Sequence, residues 1–265
     1  MSKKTTVINP YKNAISSSLE FLRKLKWDLT LNSIISKKNL SYLKNSHKNE
    51  KAVIICNGPS LRDMNLDQLE GVFTIGLNKI NLLFEYSKFR PSCIVAVNKF
   101  VIEQNRDFFQ STEIPHFLDS NSAIRNKLFS NSKRILLFSS NGYPGFSSDP
   151  RYAVSQGSTV TYVAMQLAYY MGFKEITLIG CDHNFQTKGP AHKVVIGKDS
   201  DKNHFDERYF SKGAKWQLPS IAESEESYLK AKSFFESDNR KIYNSTEGGK
   251  LELFERMKLN DFLSK

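Results

Sequence analysis

Cysteine is scarce in this chain, and the three residues present, Cys56, Cys93 and Cys181, each fall in or at the end of an apolar run. An odd number of such thiols argues for a reducing, cytoplasmic setting and against a disulfide framework. No apolar stretch approaches the ~20 residues that a bilayer-spanning helix needs, and the opening residues do not read as a secretory leader. The five histidines are dispersed, and no His/Cys group has zinc-site spacing. No metal or other cofactor is therefore expected. Internal repeats and low-complexity tracts are missing too, which excludes solenoids and flexible arrays.

Charge is plentiful but lopsided. Of the formal +11, residues 1–51 carry +8 (eleven Lys/Arg against three acids), leaving +3 for the other 214 residues. The bulk of the chain is thus no basic nucleic-acid surface, and no nucleic-acid partner is expected. Within the basic segment Ile15, Leu19, Leu22 and Leu25 recur at helical spacing, with Arg23, Lys24 and Lys26 beside them. Two readings fit: a basic amphipathic helix lying on an anionic membrane through residues 1–45 at its cytoplasmic face, or a helix packed on the domain with a solvated basic side. Leu29 to Leu43 reads as a second helix or helix pair. The expected organisation is a basic helical N-terminal appendage over residues 1–50, then one α/β domain over 51–265, long enough to bury a substantial core.

That domain announces itself at Val53-Ile54-Ile55-Cys56-Asn57-Gly58-Pro59-Ser60. A short apolar run halts at a polar turn, as when a buried parallel strand delivers a loop to a ligand at its carboxyl end. Gly58 would let backbone approach a ligand, Pro59 would set the turn, and Ser60 would cap the next helix. An ordinary strand-to-helix turn has the same look. Two further runs, Phe73 to Leu77 and Cys93 to Val97, close on Asn78 and Asn98. An amide offers donors and an acceptor without charge, so Asn57, Asn78 and Asn98 together read as one rim of a polar cleft.

Gly157-Ser158-Thr159 precedes a helix over 160–171 and offers hydroxyls and the positive end of a helix dipole, a seat for an anion or a plain cap. Lys174 to Cys181 is another buried strand, ending on Asp182. Residues 182–219 show no period and hold His183, His192 and His204, which suggests a lid over the cleft, about 183–219. A histidine there can act as a base at neutral pH. Ile221 to Ser237 reads as an amphipathic helix. A last strand, Lys241 to Asn244, runs into a polar turn with Thr246 and Glu247, again where a ligand would sit.

Taken in order, Asn57-Gly58-Pro59-Ser60-Leu61, Asn78, Asn98, Gly157-Ser158, Gly172 to Ile176 and Gly180-Cys181-Asp182 resemble the bacterial sialyltransferases of glycosyltransferase family 42, over roughly residues 51–262. The second half, including Asn244 to Gly249, resembles still more the related domain of flagellar motility accessory factors and archaeal hydroxymethylpterin pyrophosphokinases. The resemblance implies a Rossmann-like (GT-A-like variant), mostly parallel sheet flanked by helices. It also implies metal-independent, inverting transfer of a nonulosonic acid from a CMP-activated donor to a glycan or lipid-linked glycan in surface-polysaccharide or lipopolysaccharide synthesis. Asn57, Ser60, Asn78 and Asn98 would contact the donor, Ser158 the sugar carboxylate, and Asp182 the nucleotide or its loop. His204 would be the base, with His183 as the second candidate. Where that family carries tyrosines after the strand-terminal Asp, this chain has His183-Asn184-Phe185, and Lys188, Lys193 and His183 would supply the missing positive charge. A Mg-dependent pyrophosphokinase of the pterin type and a non-catalytic nucleotide-sugar-binding protein are the rivals. The first wants carboxylates around a metal, and Asp182 and Glu247 are the only acids evident at the strand ends. Self-association stays open.

Overall fold

The computed structural model describes residues 10–128, 132–140, 145–187, 189–197 and 200–265. Two helices open it, α1 (Pro10–Asp28) and α2 (Leu31–Leu43). They are followed by strands β1 (Lys51–Ile55), β2 (Phe73–Leu77) and β3 (Cys93–Ala96). Short helices α3 (Lys99–Gln104) and α4 (Arg106–Ser111) lead to β4 (His116–Asp119). Helix α5 (Ser120–Arg125) then precedes β5 (Arg134–Leu137). A small pair, β6 (Ser139–Ser140) and β7 (Val154–Ser155), precedes α6 (Val160–Met171) and β8 (Glu175–Ile179). The hairpin strands β9 (Val194–Ile196) and β10 (Lys215–Gln217), helix α7 (Ile221–Ser237), β11 (Lys241–Asn244), β12 (Glu255–Arg256) and α8 (Leu259–Ser264) complete the chain.

Eight strands form one sheet in the order β12-β11-β8-β1-β2-β3-β4-β5, and every neighbouring pair runs parallel. This is the expected Rossmann-like α/β architecture. Strands buried on both faces need apolar residues throughout, and β1 meets that need with Ala52 to Ile55, all fully buried. Alternation sends Ala52, Ile54 and Cys56 to one core, under α6 and α7. Val53 and Ile55 go to the other, under α3, α4, α5 and α8.

From β1 the chain winds outward through β2 to β5, then returns to lay β8 on β1's other side. The carboxyl ends of β1 and β8 therefore flank the point where strand order reverses, the place where open α/β sheets leave a crevice for ligands.

Helix α2 belongs to this body. It lies along the edge strand β5, Leu40 is buried, and the Ser36 hydroxyl accepts the Leu136 N–H at 3.0 Å. An exposed edge strand invites unwanted pairing, and α2 covers it. Beyond α2, Asn45 and His47 donate their N–H groups to the last carbonyls of α6, at Tyr170 and Met171, and the His47 ring stacks on Phe173 at 4.8 Å. Helix α6 starts at Thr159, whose hydroxyl accepts the Thr161 N–H, and ends at Gly172 with φ 96°. No described helix is long and apolar enough to cross a membrane.

Candidate functional site

At the switch point the β1 loop and the β8 loop are held face to face. The Asp182 carboxylate accepts the Ser60 N–H at 3.2 Å and the Ser60 hydroxyl at 2.7 Å. A methyl group on Gly58 would sit 1.9 Å from Asp182 Oδ2, so glycine is required there. The space on the Cβ side of Gly58 is filled by Asp182, while Gly58 itself borders the recess between the β1 and β8 ends. Ser60 does not cap a helix, contrary to expectation. Pro59 opens a 3-10 turn (Pro59–Asp63) with Gly58 at the cap position, and the Ser60 hydroxyl is committed to Asp182.

Two asparagines behave differently. Asn57 is buried and donates through Nδ2 to the Leu77 carbonyl, which leaves its Oδ1 buried without a partner, as is Oδ1 of Asn78. Buried polar atoms are nearly always paired, and these two border a recess of about 130 Å³ between the β1 and β8 ends. The recess opens onto a cleft of about 740 Å³ lined by Asn78, Asn98, Gly157, Ser158, Thr159, His183, His192 and His204. Asn98 also caps α3, accepting the Phe100 N–H at 2.9 Å. Pro59, Ser60, Thr246 and Glu247 line neither space. Thr246 is buried one strand further out, its hydroxyl accepting the Cys181 N–H, and Glu247 is exposed to solvent. Both were expected at the ligand, and the structure puts them elsewhere because β8 lies between β11 and the crevice.

His204 is the best-organised polar group in the cleft. Asp201 Oδ1 accepts the Asn203 N–H at 2.7 Å, and Oδ2 lies 2.7 Å from His204 Nδ1. The imidazole stacks flat on Tyr209, with ring centroids 3.8 Å apart. Phe205 donates its N–H to the Asn57 carbonyl, and Arg62 donates to the Phe205 carbonyl, so the segment is pinned over the β1 end. Burial works against the Asp201 charge, but hydrogen bonding and charge from His204 outweigh it and hold the carboxyl below its ordinary value. With Nδ1 held by a carboxylate, Nε2 is the nitrogen left to accept a proton. Beneath the stack, Lys79 is buried. It donates to Gln104 Oε1 at 2.8 Å and to the Tyr209 carbonyl at 2.5 Å, and burial lowers its pKa to about 8.

The other histidines are held from α7. His183, at φ 52°, lies 3.1 Å from Glu225 through Nε2, and His192 lies 2.7 Å from Glu223. Ser158, itself at φ 61°, donates its hydroxyl to the same Glu223. Cys56 lies in the recess, but its hydrogen bond to Cys181 and its burial raise the thiol's pKa well above normal. It stays protonated and is no nucleophile. Lys193 lines neither space, and Lys188 lies outside the described residues. Asp201, Tyr209, Glu223 and Glu225 were not anticipated. A signal existed for one of them, since Asp201 stands three residues before His204 in an Asx-turn pattern.

Among the described residues no group of three or more His, Cys, Asp or Glu side chains converges as a metal site. The carboxylate at the switch point, Asp182, has both oxygens turned to Ser60.

A model of the 6-hydroxymethylpterin diphosphokinase MptE-like family matches residues 29–188, more than half of the chain. The chain belongs to this family. The MptE-like match runs from the α1–α2 turn to just beyond β8. Asp201, His204, α7 and β11 lie past its end. No curated protein matches the chain. Among solved structures it is similar to the MAf glycosyltransferase from Magnetospirillum magneticum AMB-1, with a TM-score of 0.47 and 15% identity over 86% of this chain. The likeness spans only 39% of that protein's chain.

Proposed function

We propose that this MptE-like protein is a glycosyltransferase that moves a sialic-acid-like nonulosonic acid from a CMP-activated donor to a hydroxyl of a glycan, with inversion. The observation that carries the reading is the His204–Asp201 pair facing a cleft whose floor holds two unpaired amide oxygens. Asn57 Oδ1 and Asn78 Oδ1 call for hydrogen-bond donors. Phosphate oxygens offer none when ionised, whereas ribose or sugar hydroxyls and a cytosine amine do. The anionic part of the donor then belongs at the amino end of α6, where Ser158 and Thr159 stand at the positive end of the helix dipole.

In the reaction the acceptor oxygen forms a bond to the anomeric carbon while the bond from that carbon to the CMP phosphate oxygen breaks. CMP leaves with the electron pair, and the acceptor's proton passes to His204 Nε2. Asp201 holds the ring in place and stabilises the resulting imidazolium. His183, paired with Glu225, is the second cation-capable group on the cleft wall and faces the departing phosphate. The setting is the cytoplasmic side of an anionic membrane, where lipid-linked glycans are extended. This rests on exposed apolar residues of the α1–α2 hairpin, such as Leu19, Leu22 and Leu29, interleaved with lysines and arginines.

Family membership supports a second reading, a diphosphokinase acting on a pterin-like alcohol. His204 would again take the proton of the attacking hydroxyl, but Mg-ATP would be the donor. The side chains at the switch point do not fit a magnesium site, because Asp182 is spent on Ser60. A thermal-shift panel of CMP, CDP, UDP, GDP and ATP, each with and without Mg²⁺, separates the two. Stabilisation by CMP without Mg²⁺ is the expected result. Stabilisation by Mg-ATP alone would overturn the glycosyltransferase reading.

A further inference from the structure

A second cavity, about 790 Å³, lies against the first and shares a wall with it at Val97, Asn98, Gln156 and Gln217. Its outer side is built by α1, the start of α3 and the end of α5, which bring Arg23, Lys26, Lys99 and Arg125 around one space. Arg23 and Lys26 share α1, while Lys99 and Arg125 are far away in sequence and are brought beside them by the fold. Arg23 is engaged with Glu20 and with the Ser139 carbonyl. Among the described residues, Lys26, Lys99 and Arg125 form no ion pair. The one acid in the lining, Asp119, is buried and committed to capping α5 through Ser122.

A second, independent observation points to a ligand here. Ser139 is almost fully buried, lines this cavity, and its hydroxyl has no partner among the described residues. An unpaired buried hydroxyl beside four cations is the arrangement expected where an oxyanion completes the hydrogen bonding.

We propose that this cavity binds a phosphate group carried by the acceptor saccharide. Two residues of the shared wall, Gln156 and Gln217, present amides that suit the sugar between the phosphate and the reacting hydroxyl. The inference rests on the glycosyltransferase reading only in calling the ligand an acceptor; the charge and the orphaned hydroxyl are independent of it. Soluble sugar phosphates and lipid-linked sugars present the same phosphate chemistry.

The test is calorimetric titration of the full chain with glucose 1-phosphate, with glucose, and with a prenyl-phosphate-linked glucose in mild detergent. Wild-type protein is compared with Lys99→Ala/Arg125→Ala and with Ser139→Ala. Lys99 and Arg125 are exposed, so their replacement leaves the core intact. The expected result is binding of the phosphorylated sugars but not of glucose, weakened about tenfold or more in the double variant and in a salt-dependent way. Ser139→Ala should weaken the same ligands while raising the melting temperature of the free protein, because an unpaired buried hydroxyl is removed. The ratio of the two phosphorylated ligands' affinities tells the sources apart. Equal binding by wild type and double variant, or no binding of any phosphorylated sugar by the wild type, would overturn the proposal. CMP titrated into the same proteins reports on the donor cleft alone. Its failure to bind would sink the donor reading without touching the phosphate result.

Discussion

Asp201 Oδ2 lies 2.7 Å from His204 Nδ1, while the ring of that histidine lies flat against Tyr209. Hydrogen bond and stack together leave the imidazole no freedom to turn. A proton acceptor fixed in this way is worth roughly 10²–10⁴-fold in rate. His204→Ala should therefore lower turnover by about that factor, with little change in CMP binding, because in the proposed reaction Nε2 takes the acceptor's proton and does not hold the nucleotide. Asp201→Asn should also lower turnover, since the side chain no longer orients the ring or stabilises the imidazolium. Steady-state kinetics of both variants on one acceptor check this. A His204→Ala enzyme of near-normal turnover would remove the residue from the mechanism and leave His183 as the candidate.

Gly58 and Asp182 are in such close approach that no side chain fits between them. A Cβ on Gly58 would meet Asp182 Oδ2 at 1.9 Å and the Gly180 carbonyl at 2.7 Å. Gly58→Ala should cost about 1–3 kcal/mol, the usual range for overpacking, and should weaken nucleotide binding by displacing Asn57. Urea unfolding and CMP titration measure the two effects. An unchanged unfolding midpoint would mean that the loop yields freely and that the contact is not a constraint.

Much of the fold was legible because β1, β2, β3, β8 and β11 are short apolar runs with sharp polar ends, and because 160–171 and 221–237 carry clear helical periodicity. Asn57, Asn78 and Asn98 were read as one rim of a polar cleft; Asn57 and Asn78 border the recess, and Asn78 and Asn98 line the cleft it opens onto. The strands β4 and β5 were not foreseen. They bury His116 and Arg134, residue types that hide a strand's apolar signal. Asp201 carried only the local signal of an Asx turn: an aspartate in a loop without period acquires a role at the site only when Phe205 is tied to Asn57 and His204 is brought over the β1 end. Thr246 and Glu247 misled because every strand end looks alike in sequence, whereas the cleft is lined from the β1, β2, β3 and β8 ends and β8 separates the β11 end from it.

Burial of His116 makes a prediction about acid. Its Nδ1 faces the Ile114 carbonyl at 2.8 Å, and the Arg134 Nε–H points to its Nε2 at 3.3 Å. Burial lowers its pKa to about 4, from 6.5 in an unfolded chain, and the neighbouring Arg134 adds to that shift. The unfolded chain therefore binds the proton first as pH falls. Stability is intact above pH 6.5 and is lost progressively down to about pH 4, by at most about 3 kcal/mol from this residue. Urea midpoints between pH 7.5 and 4.5 should fall, and should fall less steeply in His116→Gln. Parallel slopes for the two proteins would place the acid sensitivity elsewhere.

The α1–α2 hairpin gives the last prediction. Leu19, Leu22 and Leu25 recur at three-residue spacing along α1, and each is about half exposed or more, at 58%, 57% and 47%. Phe21, Leu29 and Leu31 are exposed further still. Lys26 follows directly on Leu25, and Arg23 on Leu22. An interface-bound helix needs apolar side chains that reach below the headgroups and cations that stay among them, and each basic residue near an anionic surface adds about 1 kcal/mol. Leu19→Ser/Leu22→Ser/Leu25→Ser leaves the buried Trp27 and Leu40 untouched, so the body of the protein should keep its melting temperature. Deleting the whole hairpin is the poorer experiment, because α2 covers the β5 edge. In sedimentation with phosphatidylglycerol vesicles at low salt, wild type should pellet with the lipid and the triple variant should stay largely in solution. Raising the salt to 0.5 M should release much of the wild type, since screening removes the charge contribution but not the apolar one. Equal pelleting of the two proteins would show that these leucines do not meet the membrane. The exposed strip would then have to be covered by protein.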